Sequence, residues 1–321
     1  MSDTAIKNSR ATLGGGGVIN AMGSKIELNS VSVIKAFAAA SGGALSLRLC
    51  RATIKQSVFR ECHSLKSGGA ILLSTRSQCT LTKTSFETNQ ATSSGGGILC
   101  NGCAELKTEG TSWFSGNYAG RGGAIALSGG TNGNVATILS STGFIGNTAT
   151  LGGGGAIYWA SFPPTIENDY DNEANNIGIY GNFIGSGPTF IRLNDTAFKY
   201  EVRNTVPISP SVIISDYYNN TVVDFDFGRE LLNLRAGAGG AEGAGTSSPS
   251  AQSFGSVTQG VDEYGRASFP SFGLAAKPGT HVVIIEAMQD SVQSLKFNVM
   301  VQDCKLGQLL SQQKDIFSCV D

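Results

Sequence analysis

"FETNQATSSGGGIL", residues 86–99, carries one aromatic, an Asn three places later, and three glycines that run into an aliphatic pair. Glycine inside a strand normally weakens it, so a glycine triplet written just ahead of a strand-like run needs a reason. The phrase returns. "FSGNYAGRGGAIAL" begins at Phe114, "FIGNTATLGGGGAIYW" at Phe144, and "FRECHSLKSGGAILL" at Phe59 with Cys62 in the Asn place. The glycines therefore belong to a repeat.

The first glycine of each doublet leading into the aliphatic pair is Gly16, Gly42, Gly68, Gly95, Gly122 and Gly154, at intervals of 26, 26, 27, 27 and 32 residues. A period of this size marks a solenoid or an array. Three places after the marker stand Ile19, Leu45, Ile71, Ile98, Ile125 and Ile157, and five places after it Ala21, Leu47, Leu73, Cys100, Leu127 and Trp159. The place between them is mixed: Asn20, Ser46, Leu72, Leu99, Ala126, Tyr158. That is a period of two, so each phrase predicts a short strand with one better-buried face.

Nine places before the doublet, give or take one, comes a second apolar marker: Val33, Phe59, Phe86, Phe114, Phe144. Each follows a Ser/Thr-rich alternating stretch such as "TLTKTSF" (80–86). One repeat therefore holds at least two strands, and no segment has the ten or more residues of 3.6-period pattern a helical repeat needs. Coils stacked this way form a parallel β-helix, each strand pairing with its equivalent one turn along, at about 4.8 Å per turn. In such a narrow coil Gly42 and Gly43, Gly68 and Gly69, Gly95 and Gly96, Gly122 and Gly123, and Gly154 and Gly155 are bends, where φ > 0 is reached and a Cβ would strike the neighbouring turn. Phe59, Phe86, Phe114 and Phe144 enter the core, and Asn89, Asn117 and Asn147 stack at the bend, each amide bonding the next turn. A phosphate cradle is disfavoured, because a strand and not a helix follows the glycines.

The totals agree. Forty-three glycines in 321 residues are roughly twice the usual share of about 7%. There is no Gly-X-Y period, and 40% apolar residues with a mean hydropathy near zero argue against disorder. The class is all-β. Charge is uneven: residues 1–160 hold 13 Lys+Arg against 6 Asp+Glu, a balance of +7, and residues 161–321 hold 10 against 18, a balance of −8. The start, "MSDTAIKNSRATLGGGG", has no apolar segment of signal length, and no apolar run approaches 18 residues. With Met1 inside a repeat, the chain reads as a piece of a longer protein.

The GGAI phrase at 68–71 and 122–125, one glycine later at 154–157, and the FxxN phrase at 86–89, 114–117 and 144–147 resemble the repeats of the polymorphic outer-membrane-protein family. The resemblance spans about residues 5–182, the last piece being "IYGN" at 179–182, and departs at Phe59/Cys62 and Val33/Ala36. It implies a right-handed parallel β-helix used for display or adhesion, extracellular or at the cell surface, without catalysis. Its implied partners are other surface or extracellular-matrix proteins or polysaccharide. No cofactor or metal is expected, and a membrane is reached only through segments outside this fragment.

The β-helix is assigned to residues 1–185. Beyond it the period vanishes, and the runs 188–195, 196–204, 210–216, 220–227, 266–274, 281–287 and 295–302 alternate like strands. They predict an antiparallel β-sandwich of immunoglobulin-like type over 186–304, interrupted by a flexible Gly/Ala/Ser insertion at 236–251. Residues 305–321 read as the start of a cysteine-containing tail.

Seven cysteines are an odd number. The pair Cys100 and Cys103 lacks the second CxxC of a zinc site, so the expectation divides between disulfides and buried thiols, with Cys62, in a ladder Asn place, as a buried thiol. Cys79 bridging Cys100 or Cys103 across adjacent turns is the favoured pairing, with Cys304 and Cys319 as further candidates. Asp169, Asp171 and Glu173 alternate as in a calcium loop, but Ala174 stands where glycine is needed and Tyr180 where a bidentate Glu belongs. A polar cap is expected there instead. Asn194 and Asn219 head glycosylation sequons. The rival function is a carbohydrate-binding or carbohydrate-active, pectin-lyase-like coil. Its acids up to residue 160, Asp3, Glu27, Glu61, Glu87, Glu105 and Glu109, form no designed pair. Arg48, Arg51, Lys55, Arg60, Lys66, Arg76 and Lys83 fall within two turns and fit passive binding of acidic glycan. Nucleic acid is not expected, because no aromatic platform interleaves with these charges.

Overall fold

The structure is a computed structural model that describes residues 4–129, 136–160, 162–167, 173–194, 200–203, 207–223, 231–236, 251–288, 291–305, 308–313 and 316–320. The chain divides into two compact units, Met1–Gly187 and Pro188–Asp321. Among the described residues all regular elements are strands.

The first unit is a parallel β-solenoid of about six turns. Each turn carries four strands, two more than the alternation alone demands. In the third turn they are Val58–Arg60, His63–Ser64, Ile71–Ser74 and Gln78–Thr82. The four sheets they join are here the phenylalanine sheet, the short sheet, the glycine-led sheet and the threonine sheet. The first and third have seven strands, the other two six, and each runs through the coil in chain order.

Register keeps like over like. Phe59 pairs with Phe86, Phe86 with Phe114 and Phe114 with Phe144. Their rings stack within 11° of parallel, with centroids 5.1, 4.7 and 5.3 Å apart. Ile71 lies between Leu45 and Ile98 in the glycine-led sheet, and all three are fully buried. Leu72, one place on, faces outward and is half-buried.

Gly68 and Gly69 explain the doublet. Gly68 sits at φ +66°, in the left-handed region that L side chains avoid. A Cβ on Gly69 would run into the Gly96 carbonyl of the next turn. One glycine bends the chain and the other lets turns stack.

The second unit holds two main sheets, an arrangement compatible with a sandwich. One joins Pro188–Leu193, Ser211–Asp216 and Arg266–Ser268, and the other joins Tyr200–Arg203, Leu295–Gln302, Gly279–Ala287, Leu231–Ala236 and Thr258–Gly260. Pairing within them is antiparallel except between Tyr200–Arg203 and Leu295–Gln302. Val212, Ile214, Phe269, Phe272, Val283, Ile285 and Val299 are fully buried. The strand expected at 220–227 is reduced, in its described part, to one bridge between Ser215 and Thr221. The run 266–274 breaks into Arg266–Ser268 and Gly273–Ala275. Most of the insertion at 236–251 lies outside the described residues. In the tail, Leu309–Gln313 and Ile316–Val320 pair antiparallel.

Candidate functional site

The bend after the phenylalanine sheet is a hydrogen-bonded ladder. Asn89, Asn117 and Asn147 are fully buried. Each donates its Nδ2 to the Oδ1 of the next: Asn89 to Asn117 at 3.0 Å, Asn117 to Asn147 at 2.9 Å, Asn147 to Asn176 at 2.9 Å. Asn176 is a rung that the repeat phrase misses, because Glu173 stands where the earlier turns have Phe. The phrase "IYGN" belongs to another position: Tyr180 bridges Gly153, and Gly181 has the φ, +60°, of the doublet's first glycine. Cys62 continues the ladder downward. Its backbone N–H donates to Asn89 Oδ1 at 3.0 Å, and its thiol reaches the Val33 carbonyl at 3.8 Å.

The cysteines depart from expectation. Cys100 and Cys103 are bonded to each other, Cα atoms 5.4 Å apart, and Cys79 is a buried free thiol. Register is the reason. Cys79 sits in the threonine sheet between Ala52 and Leu106, whereas Cys100 sits in the glycine-led sheet between Leu73 and Leu127. Burial pushes the Cys79 thiol up to about 12 and the Cys62 thiol to about 11. Cys304 is disulfide-bonded, and the Cys319 side chain lies outside the described residues.

Most of the coil's described acids are tied to cations. Glu27 meets Lys25 at 2.6 Å, Glu61 meets Lys35 at 3.4 Å, Glu87 meets Arg60 at 2.6 Å and Glu109 meets Lys107 at 2.8 Å. The lysines beside Glu27 and Glu109 hold those carboxyls below the usual range. Asp3, Asp169 and Asp171 lie outside the described residues. Glu173 and Ala174 form a short strand, and the Tyr180 hydroxyl donates to the Ser186 carbonyl at 3.0 Å. Among the described residues no group of three or more His, Cys, Asp or Glu is arranged to hold a metal ion. No helix of the described residues is long and apolar enough to cross a membrane.

What the coil offers is its outward rows. On the short sheet, Arg10, Phe37, His63, Gln90, Tyr118 and Thr148 stand in register on successive turns. Five of the six carry planar groups. The Arg10 guanidinium lies 4.5 Å from the Phe37 ring centroid, and Phe37 and His63 are 5.8 Å apart at a 48° tilt. The inward partners Ala38, Ser64, Ala91, Ala119 and Ala149 are small and buried, so this ridge is thin-walled. On the phenylalanine sheet Trp113 faces outward, and Gly143 on the next turn leaves the space its indole occupies.

The basic residues disperse. Arg60 is held by Glu87, with Nε to Oε2 at 2.7 Å. Lys66 lies in the turn before the Gly68 doublet. Arg51 and Lys55 lie on the threonine sheet, Arg76 and Lys83 flank its strand Gln78–Thr82, and Arg48 ends the neighbouring glycine-led strand. In the second unit Asn219 is exposed at φ +69° beside a tight turn, and Asn194 is exposed. The rest of the Asn194 sequon lies outside the described residues.

Residues 83–101 match the Chlamydia polymorphic membrane protein (Chlamydia_PMP) repeat. Those residues run from the Lys83 bend through Phe86, Asn89 and the Gly95 doublet to the end of the following strand. Match and six-turn coil together fit a β-helix repeat protein of this type. No curated protein and no solved structure matches the chain.

Proposed function

We propose that the chain is a non-catalytic structural and adhesive module of a larger surface-displayed protein. The solenoid presents rows of outward side chains to other surface or matrix proteins or to polysaccharide, and the second unit acts as an immunoglobulin-like spacer. The observation that carries this reading is the in-register row from Arg10 to Thr148. A core that repeats holds it in register, and its Arg10, Gln90 and Tyr118 are exposed to a partner while the buried residues are spent on stacking. The repeat match supports placement at the cell surface. The carbohydrate-active alternative draws no support from Glu27, Glu61, Glu87 and Glu109, which are engaged by lysine or arginine rather than paired across a cleft.

Two arms test it. An antibody against the chain should label intact, unpermeabilised source cells. Beads coated with the full chain should adhere to matrix-coated or cell surfaces. Replacing Phe37 and Tyr118 together by Ala should weaken bead adhesion several-fold without shifting the melt. Labelling only after permeabilisation, together with no bead adhesion, would overturn the reading.

A further inference from the structure

The threonine sheet of the second and third turns carries a cationic face. Its strands are Arg51–Lys55 and Gln78–Thr82, paired in register. Outward positions alternate with buried Ala52, Ile54, Cys79 and Leu81. They are Arg51, Thr53 and Lys55 on one turn and Gln78, Thr80 and Thr82 on the next. Arg48 ends the glycine-led strand Leu45–Arg48, Arg76 stands in the turn before Gln78, and Lys83 at the bend after Thr82. All five cations are exposed. Residues 48–56 and 74–83 contain no Asp or Glu.

None of the five cations makes an ion pair among the described residues. Arg51 Nε donates to Gln78 Oε1 at 2.9 Å, which fixes one edge of its guanidinium and leaves the other to a ligand. Arg48 Nη2 contacts only the Met22 sulfur, at 3.2 Å. Of the three bordering acids, Glu27 and Glu109 are bound by Lys25 and Lys107, and Glu105, beside Gln78 on the next turn, lies within the field of Lys107. The face is a floor of the Thr53 and Thr80 hydroxyls and the Gln78 amide, about 13 Å across, one five-residue strand wide. Arg51 and Arg76 lie on one side and Lys55 and Lys83 on the other, while the Thr82 hydroxyl is buried.

We propose that this face binds an anionic polysaccharide. Arginine forks pair with sulfate or carboxylate through two parallel hydrogen bonds. The lysines add point charges, and the Thr53 and Thr80 hydroxyls meet sugar hydroxyls. A nucleic acid needs stacking platforms that this floor lacks, since no aromatic occurs in residues 48–56 or 74–83. The inference rests on the adhesive reading and assigns it one ligand class and one face.

The full chain is passed at low salt over immobilised dextran sulfate, polygalacturonate and unmodified dextran. Retention is expected on one or both charged matrices and not on plain dextran, with elution as NaCl rises. Whichever charged matrix retains the chain identifies sulfate or carboxylate as the preferred group. The double variant Arg51→Glu, Lys55→Glu should lose affinity at least tenfold. Lys7→Glu, Lys66→Glu changes net charge equally on other parts of the coil and should keep most of it, with both melts unchanged. Equal losses in the two variants, equal capture of duplex DNA, or no retention by charged matrices would each overturn the proposal. Failure here with bead adhesion intact leaves the adhesive reading standing and removes only this site.

Discussion

Asn117 and Asn147 share two hydrogen bonds: Asn117 donates to Asn147 Oδ1 from its side-chain Nδ2 at 2.9 Å and from its backbone N–H at 3.0 Å. Asn117 in turn accepts from the Asn89 backbone N–H and side chain, each at 3.0 Å, and donates its second amide hydrogen to the Phe86 carbonyl at 3.0 Å. Every donor and acceptor of the amide is used. A buried polar column with nothing left over therefore clamps each bend to the turns on either side.

Replacing Asn117 by Ala strands groups on Asn89, Asn147 and Phe86 inside the core, where each orphan costs about 1–3 kcal/mol. The expected loss is roughly 3–5 kcal/mol in urea unfolding, against about 0.5 kcal/mol or less for Asn20→Ala on the exposed face. Equal losses would remove the ladder as a source of stability.

Ile71 and Leu72 are chain neighbours on opposite faces, fully buried and half-buried respectively. Ile71→Asp puts an unpaired carboxylate between Leu45 and Ile98 and should abolish cooperative folding of the coil. Leu72→Asp should be much milder, because Ser46 holds the equivalent place one turn before. Thermal melts that show equal damage would contradict the face assignment.

The coil was legible in the sequence because its constraints are local and repeated. A bend that admits only glycine and a strand that alternates leave a mark every 26 or 27 residues in the middle turns. What escaped depends on register across turns. The fourth Asn rung, Asn176, hides behind Glu173, whose place at the coil's end is exposed and has no ring to stack. Proximity in the repeat pointed Cys79 toward Cys100, but neighbouring turns put them on different sheets. The seven clustered cations likewise looked like one patch. Two leave it: Arg60 to an ion pair and Lys66 to the bend between the short and glycine-led sheets.

The Cys100–Cys103 bond closes a four-residue loop, worth about 2 kcal/mol in the chain-entropy account. Reductant should lower the coil's stability by about that amount, and a chelator should leave it unchanged. Peptide mass spectrometry without reduction should find the two cysteines linked within one peptide. A cross-link from Cys79 to either one would contradict the register.

Burial raises the Cys62 and Cys79 thiols from 9.0 to about 11 and about 12. Between pH 9 and those values the unfolded chain has lost thiol protons that the folded chain keeps. Stability is thus fully present below the unfolded value and falls as pH rises, by up to roughly 1.4 kcal/mol per pH unit for each thiol. Urea unfolding at pH 8 and pH 10.5 should show the decline, and Cys62→Ala with Cys79→Ala should reduce it. A decline unchanged in the double variant would assign it to other groups.

The stacked coil itself is tested most directly by spin-label distances along the short-sheet row. Arg10 and Gln90 are three turns apart and Arg10 and Thr148 five, so their backbones should be separated by about 14 Å and about 24 Å. With labels on cysteines at these exposed or half-buried places and the buried native thiols unreactive, the second pair should read about 10 Å longer than the first. Distances that fail to lengthen with turn number would contradict the solenoid.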